Sequence, residues 1–325
     1  MTERENLLKL LRHEKPEWLP FYSRAMTRIL PSCVDETMLL TQGGVNLFGV
    51  KWVTTEGTEA ATTPDVKTPP LLKDISEWRE KVHIPDVDAM AWEECAEKDM
   101  KNVDRESRLL YSFGIIGVFD HLLSMMGVEG ALCAMIEEPD EVKALFQALT
   151  DYRIQVIKKI KKYYDLDVWV DNDDVATAGG LFISPDLYRE LVWPFEKATN
   201  DAAHEVGMYV QHHCCGKCDC LIPDFIAAGN DSWEPAQSIN DLKSILENYG
   251  DQIAVIGGWD SSGACSRLDA PLEDVVREAE RCLNEYGQYD GYSFYPVLLN
   301  RNSVGYQEKQ DAIAGVYDNY IKNHR

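Results

Sequence analysis

A chain of 325 residues, 45% hydrophobic and 10% aromatic, can fill the core of one large α/β barrel or of two average domains. Its formal net charge of −23 repels nucleic acid and anionic membrane surfaces, so neither is an expected partner. No apolar run approaches the roughly 20 residues that span a bilayer, and the charged N-terminus MTERENLLKLLRHEKPEW lacks the apolar centre of a signal peptide, so a cytoplasmic location is expected.

Apolar, β-rich segments alternate with helical ones along the chain. The expected strands are residues 19–24, 51–55, 109–116, 167–173, 208–213, 232–236, 253–259 and 292–298. Several are short and apolar, as parallel strands covered on both faces are. Residues 56–108 fit the rhythm worst and read as an early insertion near the barrel mouth, following an N-terminal extension. Between residues 139 and 164, Val142, Leu145, Phe146, Leu149, Val156, Ile157 and Ile160 fall near helical spacing. Ser184-Pro185 reads as an N-cap and a first-turn proline. Residues 242–248, 271–286 and 304–320 complete the helices. From residue 167 onward the strand–helix repeat gives a parallel sheet with right-handed crossovers. Eight strands in this length favour a (β/α)8 TIM barrel, a single domain over residues 1–325, with a doubly wound open sheet as the alternative.

In such barrels the chemistry sits at the C-terminal ends of the strands. Here the unusual polar residues fall at those ends: residues 171–174, residues 212–215, Glu234 and Asp260. Cys214, Cys215, Cys218 and Cys220 crowd together while the other five cysteines are scattered, a pattern of metal or redox chemistry rather than of disulfides. Residues two apart on a strand share a side, so His213 and Cys215 point into one space. An imidazole nitrogen and a thiolate are good ligands for zinc. The competing reading is a buried histidine beside inert cysteines. His212 and Cys214 face the other way and read as structural.

A catalytic zinc has three protein ligands and one open position. Cys218, close in sequence, Glu234, at the end of the next strand, and Asp260 are the candidates for the third ligand. Asp173 and Asp174 are candidate catalytic carboxylates that could orient substrate or supply a proton, or could cap loop amides instead. Asp260 carries the same two readings.

Residues 117–142, 171–197, 212–242 and 253–263 resemble the uroporphyrinogen decarboxylase superfamily. The likeness covers most of the chain from about residue 109 and is weaker before it. It implies a (β/α)8 barrel and one of two activities. The decarboxylases use no metal and bind porphyrinogen acetate groups through an N-terminal arginine-rich segment. Here that segment, PFYSRAMTRILPSC, has only Arg24 and Arg28 and lacks the Met-Arg-Gln run. The second branch comprises zinc methyltransferases carrying His-x-Cys-Gly, which His213-Cys214-Cys215-Gly216 matches. The match implies a zinc-dependent methyltransferase working on a small methylated ether, amine or thiol, with a corrinoid (cobalamin) carried on a partner protein. A metal-free decarboxylase and an inactive metal-binding barrel are the alternatives. Better-known members of the second branch take a further cysteine ligand from the last strand. Residues 291–302, GYSFYPVLLNRN, contain none. Tyr22, Arg24, Trp233 and Trp259 are candidate substrate contacts, and with Phe113 and Phe294 they would line a pocket suited to an aryl methyl ether, although each aromatic alone fits ordinary core.

Overall fold

The computed structural model, whose described residues are 1–54, 61–298 and 304–324, places seven parallel strands in one curled sheet. They are β1 Met26–Ile29, β2 Leu109–Ser112, β3 Val168–Asn172, β4 Tyr209–His213, β5 Ser232–Ala236, β6 Ala254–Gly258 and β7 Tyr292–Tyr295, hydrogen-bonded in that order. The outer edge of β7 meets the chain just ahead of β1. The Phe294 N–H donates to the Pro20 carbonyl at 2.9 Å, and Phe21 forms a parallel bridge with Phe294. The result is the expected TIM-barrel-like α/β fold.

Two expected strands differ. Residues 19–24 do not form the first strand: a helical turn, Tyr22–Ala25, interrupts the chain, and pairing with β2 begins at Met26. The turn lets Tyr22 project into the barrel, where its hydroxyl accepts from Gln211 Nε2 at 2.9 Å and its ring packs on Tyr111 and Tyr295. Lys51–Thr54 is not a barrel strand either. It is the middle of a three-stranded antiparallel sheet with Gly43–Val45 and Thr62–Pro64. This sheet belongs to the connection between β1 and β2, so the interruption of the barrel rhythm starts before residue 56. Thr55 and residues 56–60 of the expected insertion lie outside the described residues. Glu36 ties this connection to the barrel mouth, since its carboxylate accepts the Ile116 N–H at 2.9 Å just beyond the end of β2.

The helices follow the apolar periodicity. Pro139–Tyr164 buries the seven residues that mark its core face, each contributing about 1.5–3 kcal/mol through burial. The Ser184 hydroxyl accepts the Leu187 N–H at 3.2 Å and caps Pro185–Leu191. Leu242–Tyr249, Leu272–Tyr286 and Tyr306–His324 follow. Among the described residues one helix, Val118–Glu137, is long and apolar enough to cross a membrane by length and composition alone. Half of its apolar window is buried in the protein, and it breaks at Gly127, where φ is +71°.

Strand alternation then decides what the barrel holds. Met26, Leu109, Val168, Ala254 and Ile256 meet Leu7, Leu10 and Leu11 of the helix Glu3–Leu11 in an apolar plug at the bottom. Two and four residues further along the strands, most inward positions turn polar, with Arg28, Tyr111, Asn172, Gln211, His213, Glu234 and Tyr295, while Val170 and Gly258 do not. The upper interior of the barrel is therefore lined largely by polar side chains.

Arg24 lies outside it. The turn sends its guanidinium outward, where it forms a bidentate pair with Asp318 at 2.6 and 3.1 Å and lies over the rings of Phe21 and Tyr317. This corrects the expectation of a substrate contact: Arg24 fastens the closing segment to the last helix. Arg24→Ala should cost about 1 kcal/mol, as a half-exposed pair on aromatic rings does, and should leave metal and ligand binding unchanged. Urea denaturation beside a metal titration is the check.

Candidate metal centre

Asn172, His213 and Glu234 are direct neighbours across β3, β4 and β5. That register brings Glu234 Oε1 to 2.6 Å from His213 Nδ1. With Nδ1 held by the carboxylate, Nε2 faces Cys215, whose Sγ is 3.8 Å away, and a metal binding there would displace any proton on Nε2. Gly216 makes the next turn possible, with φ at +93°. A Cβ there would lie 2.7 Å from the Thr177 carbonyl oxygen, so the β4 loop packs directly against the β3 loop. In the same contact the Cys215 N–H donates to Asp174 Oδ1 at 2.6 Å.

Donor atoms of Asp174, His213 and Cys215 all lie within 4.8 Å of one another. A tetrahedral zinc with bonds of about 2.3 Å to sulfur and 2.05 Å to nitrogen separates those two atoms by about 3.6 Å. The observed 3.8 Å is close to that spacing. Oxygen, nitrogen and sulfur together suit a borderline-soft ion. Cys215 also lines a cleft of about 190 Å³, walled by Thr177, Gly216, Gln237, Ser238 and Asp260 among others. Three protein donors beside an open cleft is the arrangement of a catalytic rather than a structural zinc.

Burial opposes the charged imidazole, but Glu234 and Cys215 outweigh it and hold the His213 pKa well above its ordinary value. Burial also raises the Cys215 thiol, against the pull of His213. A metal entering here displaces protons.

The remaining expected residues sort by where their side chains point. Cys218 is fully buried beside Cys214, and its N–H donates to Asn240 Oδ1 at 2.9 Å, so the turn after Gly216 carries it into the core and away from the donor group. Glu234 holds His213 from the far ring nitrogen, the place of a carboxylate that orients a ligand rather than binds the ion. Asp260 is across the cleft and accepts the Ser262 N–H at 3.1 Å. Asp173 is buried, accepts the N–H groups of Phe119 at 3.1 Å and Asp120 at 2.7 Å, and so caps the helix Val118–Glu137. Burial and the nearby Asp171 push its pKa up to about 7. Trp233 and Trp259 face outward into the core, with their indole N–H groups satisfied by the Cys214 carbonyl at 3.2 Å and Ser266 Oγ at 2.9 Å. Neither reaches the cavity, which removes the aromatic pocket they were expected to line. Phe294 is core as well, Tyr22 sits deep in the barrel, and Phe113 meets His213 edge-on at 6.2 Å. Cys220 is exposed.

Two further residues lie near the centre, Asp120, which sequence reasoning missed, and Arg28, which it noted only as one of the two arginines of the N-terminal segment. Asp120 Oδ2 accepts the Asp174 N–H at 3.2 Å. Burial, Asp174 and Asp173 raise its pKa well above the carboxylate range. Arg28 stacks its guanidinium on Phe113 at 4.9 Å. The β1–β2 register places Arg28, and the helix start capped by Asp173 places Asp120.

Asp171, Glu196 and His212 form a second group of close donors on the opposite face of β4, all buried. Arg153 pairs with Asp171, while Tyr188 and Asn230 donate to Glu196. The guanidinium already supplies the balancing positive charge, so this is a buried ion network rather than a second metal centre.

The family model for uroporphyrinogen decarboxylase (URO-D) matches residues 57–296. No curated protein matches the chain. Among solved structures, a methyltransferase from Methanosarcina mazei is similar at a TM-score of 0.69 and 16% identity, covering 98% of this chain and 99% of its own. At that identity the likeness concerns the fold.

Metal titration against a chromophoric chelator separates the ligand assignments. Cys215→Ala and Asp174→Asn should each lower zinc affinity by more than about 100-fold, whereas Glu234→Gln should cost about 10–100-fold. Cys218→Ser should lower stability and leave affinity unchanged. Loss of zinc in Cys218→Ser, with full retention in Asp174→Asn, would reverse the assignment.

Proposed function

The chain belongs to the uroporphyrinogen decarboxylase family, and from that premise we propose that it is a zinc-dependent methyltransferase, moving a methyl group between a small methylated substrate and the cobalt of a corrinoid carried on a partner protein. The observation that carries this reading is the Asp174–His213–Cys215 donor group at an open cleft. The methyltransferase of like fold supports it. All nine cysteines are free, which suits a reducing compartment, and we place the protein in the cytoplasm with residues 1–325 acting as one barrel unit.

A methyl group on oxygen, nitrogen or sulfur resists transfer because the heteroatom leaves poorly. Zinc, when bound, supplies Lewis-acid stabilisation of the charge that develops on that heteroatom. The pair of the breaking carbon–heteroatom bond would stay on the heteroatom, and a reduced cobalt(I) corrinoid would supply the electron pair that takes the methyl carbon. The protein's own residues set the geometry. Glu234 locks the His213 ring so that Nε2 faces Cys215. The Cys215 N–H fixes Asp174. A proton for the departing heteroatom would come from a nearby carboxyl group, and Asp120, which accepts the Asp174 N–H, is our candidate for it. The apolar plug closes the barrel from below, so substrate and partner share the mouth.

The test mixes zinc-loaded protein, a reduced corrinoid protein and a panel of methyl ethers, methylamines and methyl thiols. Cobalt absorbance should report methyl transfer from at least one compound. Chelation should abolish transfer and leave the circular dichroism unchanged, because the core does not depend on an ion at its rim. An inert panel together with carbon dioxide release from uroporphyrinogen would move the chain to the decarboxylase branch.

A further inference from the structure

The cleft beside Cys215 has one ionisable oxygen donor in its wall, the half-buried carboxylate of Asp260, two residues past the end of β6. Its Oδ1 accepts the Ser262 N–H at 3.1 Å and shapes its own loop, while its backbone N–H donates to Glu278 Oε1 at 2.8 Å. Gly263 leaves room for the second oxygen, since a Cβ there would fall 2.4 Å from Oδ2. Among the described residues Oδ2 meets no cation and no N–H group.

The cations around this cleft are already committed. Lys217, next to Gly216, turns to Asp219 at 3.0 Å and to the Ile239 carbonyl at 3.4 Å. Arg281 reaches the Gly258 carbonyl at the end of β6 and is held by Glu278 and Glu285. Among the described residues no lysine, arginine or aromatic side chain walls the cleft; Ser238, Ser261 and Ser262 bring hydroxyl oxygens beside Asp260. An anion would meet a carboxylate there with no compensating charge. A quaternary ammonium seeks ring faces, and the wall offers none. A primary ammonium has three N–H donors, and a carboxylate with neighbouring hydroxyls can accept all of them. The net charge of −23 also favours the arrival of a cation.

We propose that Asp260 is the cation subsite of this cleft, and that the substrate is a small primary amine whose ammonium group donates to Asp260 while its methyl-bearing heteroatom, an ether oxygen or a thioether sulfur, reaches the Asp174–His213–Cys215 centre. The methyl-bearing end rests on the methyltransferase reading; the subsite does not. Cys215 and Asp260 line one cleft of about 190 Å³, below the roughly 300–1,000 Å³ of pockets for drug-sized ligands, so one short molecule can touch both. A neutral alcohol could use the same oxygens but would lack the charge that strengthens the hydrogen bond.

Calorimetric titration of the zinc-loaded protein, at a neutral pH where the amines are protonated, tests this with 2-methoxyethylamine and 2-(methylthio)ethylamine against 2-methoxyethanol and 2-(methylthio)ethanol. At least one amine should bind tenfold or more tighter than its alcohol, as a charge-assisted hydrogen bond does. Asp260→Asn keeps an Oδ1 acceptor for Ser262 and removes the charge, so it should erase the preference while zinc content and circular dichroism stay unchanged. The wild-type amine–alcohol comparison needs no variant. Alcohols that bind as well as the amines, or amines that do not bind, would overturn the proposal. So would a preference that survives in Asp260→Asn, the behaviour of an amine bound through the zinc instead. A clear amine preference without methyl transfer keeps the subsite and removes the methyltransferase reading. Methyl transfer from the neutral compounds without an amine preference does the reverse.

Discussion

The Glu234 carboxylate on the Nδ1 side of His213 decides what the rest of the centre can be. At 2.6 Å it fixes the ring orientation, and it leaves Nε2 facing Cys215. Such a buried pair is expensive to desolvate. It persists because β4 and β5 are locked in register, with His212 opposite Trp233 and His213 opposite Glu234. Trp233 is part of that lock. Its side chain fills the core behind the sheet while Glu234, one residue on, faces the cavity.

Charge balance organises both faces of β4. Behind the strand, Asp171, Glu196 and His212 are packed around Arg153, a built-in cation. In front, Asp120, Asp174 and Glu234 gather at the mouth, where Asp174 and His213 lie beside Cys215 and an open cleft. A divalent ion would do for the front what the guanidinium does for the back. The difference is access: the back is buried, while the front borders an open cleft.

Much of this was legible in the sequence where one periodicity decides the outcome. The shared face of His213 and Cys215 follows from a period of two, and the helix Pro139–Tyr164 from a period near four. Legibility failed where the answer lay between elements. Asp174 joins the donors because the Gly216 turn packs the β4 loop on the β3 loop, a contact that no spacing encodes. Cys218 is chemically soft and close in sequence, yet the same turn buries it. Lys51–Thr54 has the β-rich character of its barrel counterparts, but it pairs antiparallel outside the ring. A single helical turn moved the first strand past residue 24 and carried Arg24 out of the cavity, leaving Arg28 as the inward arginine.

X-ray absorption at the zinc edge of the metal-loaded protein tests the central claim most directly, because it counts sulfur atoms around the ion without reference to activity. The account predicts one sulfur at about 2.3 Å and the remaining ligands nitrogen or oxygen at about 2.0–2.2 Å. Two or more sulfur ligands would put Cys214 or Cys218 on the metal, and a shell with none would remove Cys215 from it. Either result would contradict a centre built from Asp174, His213 and Cys215.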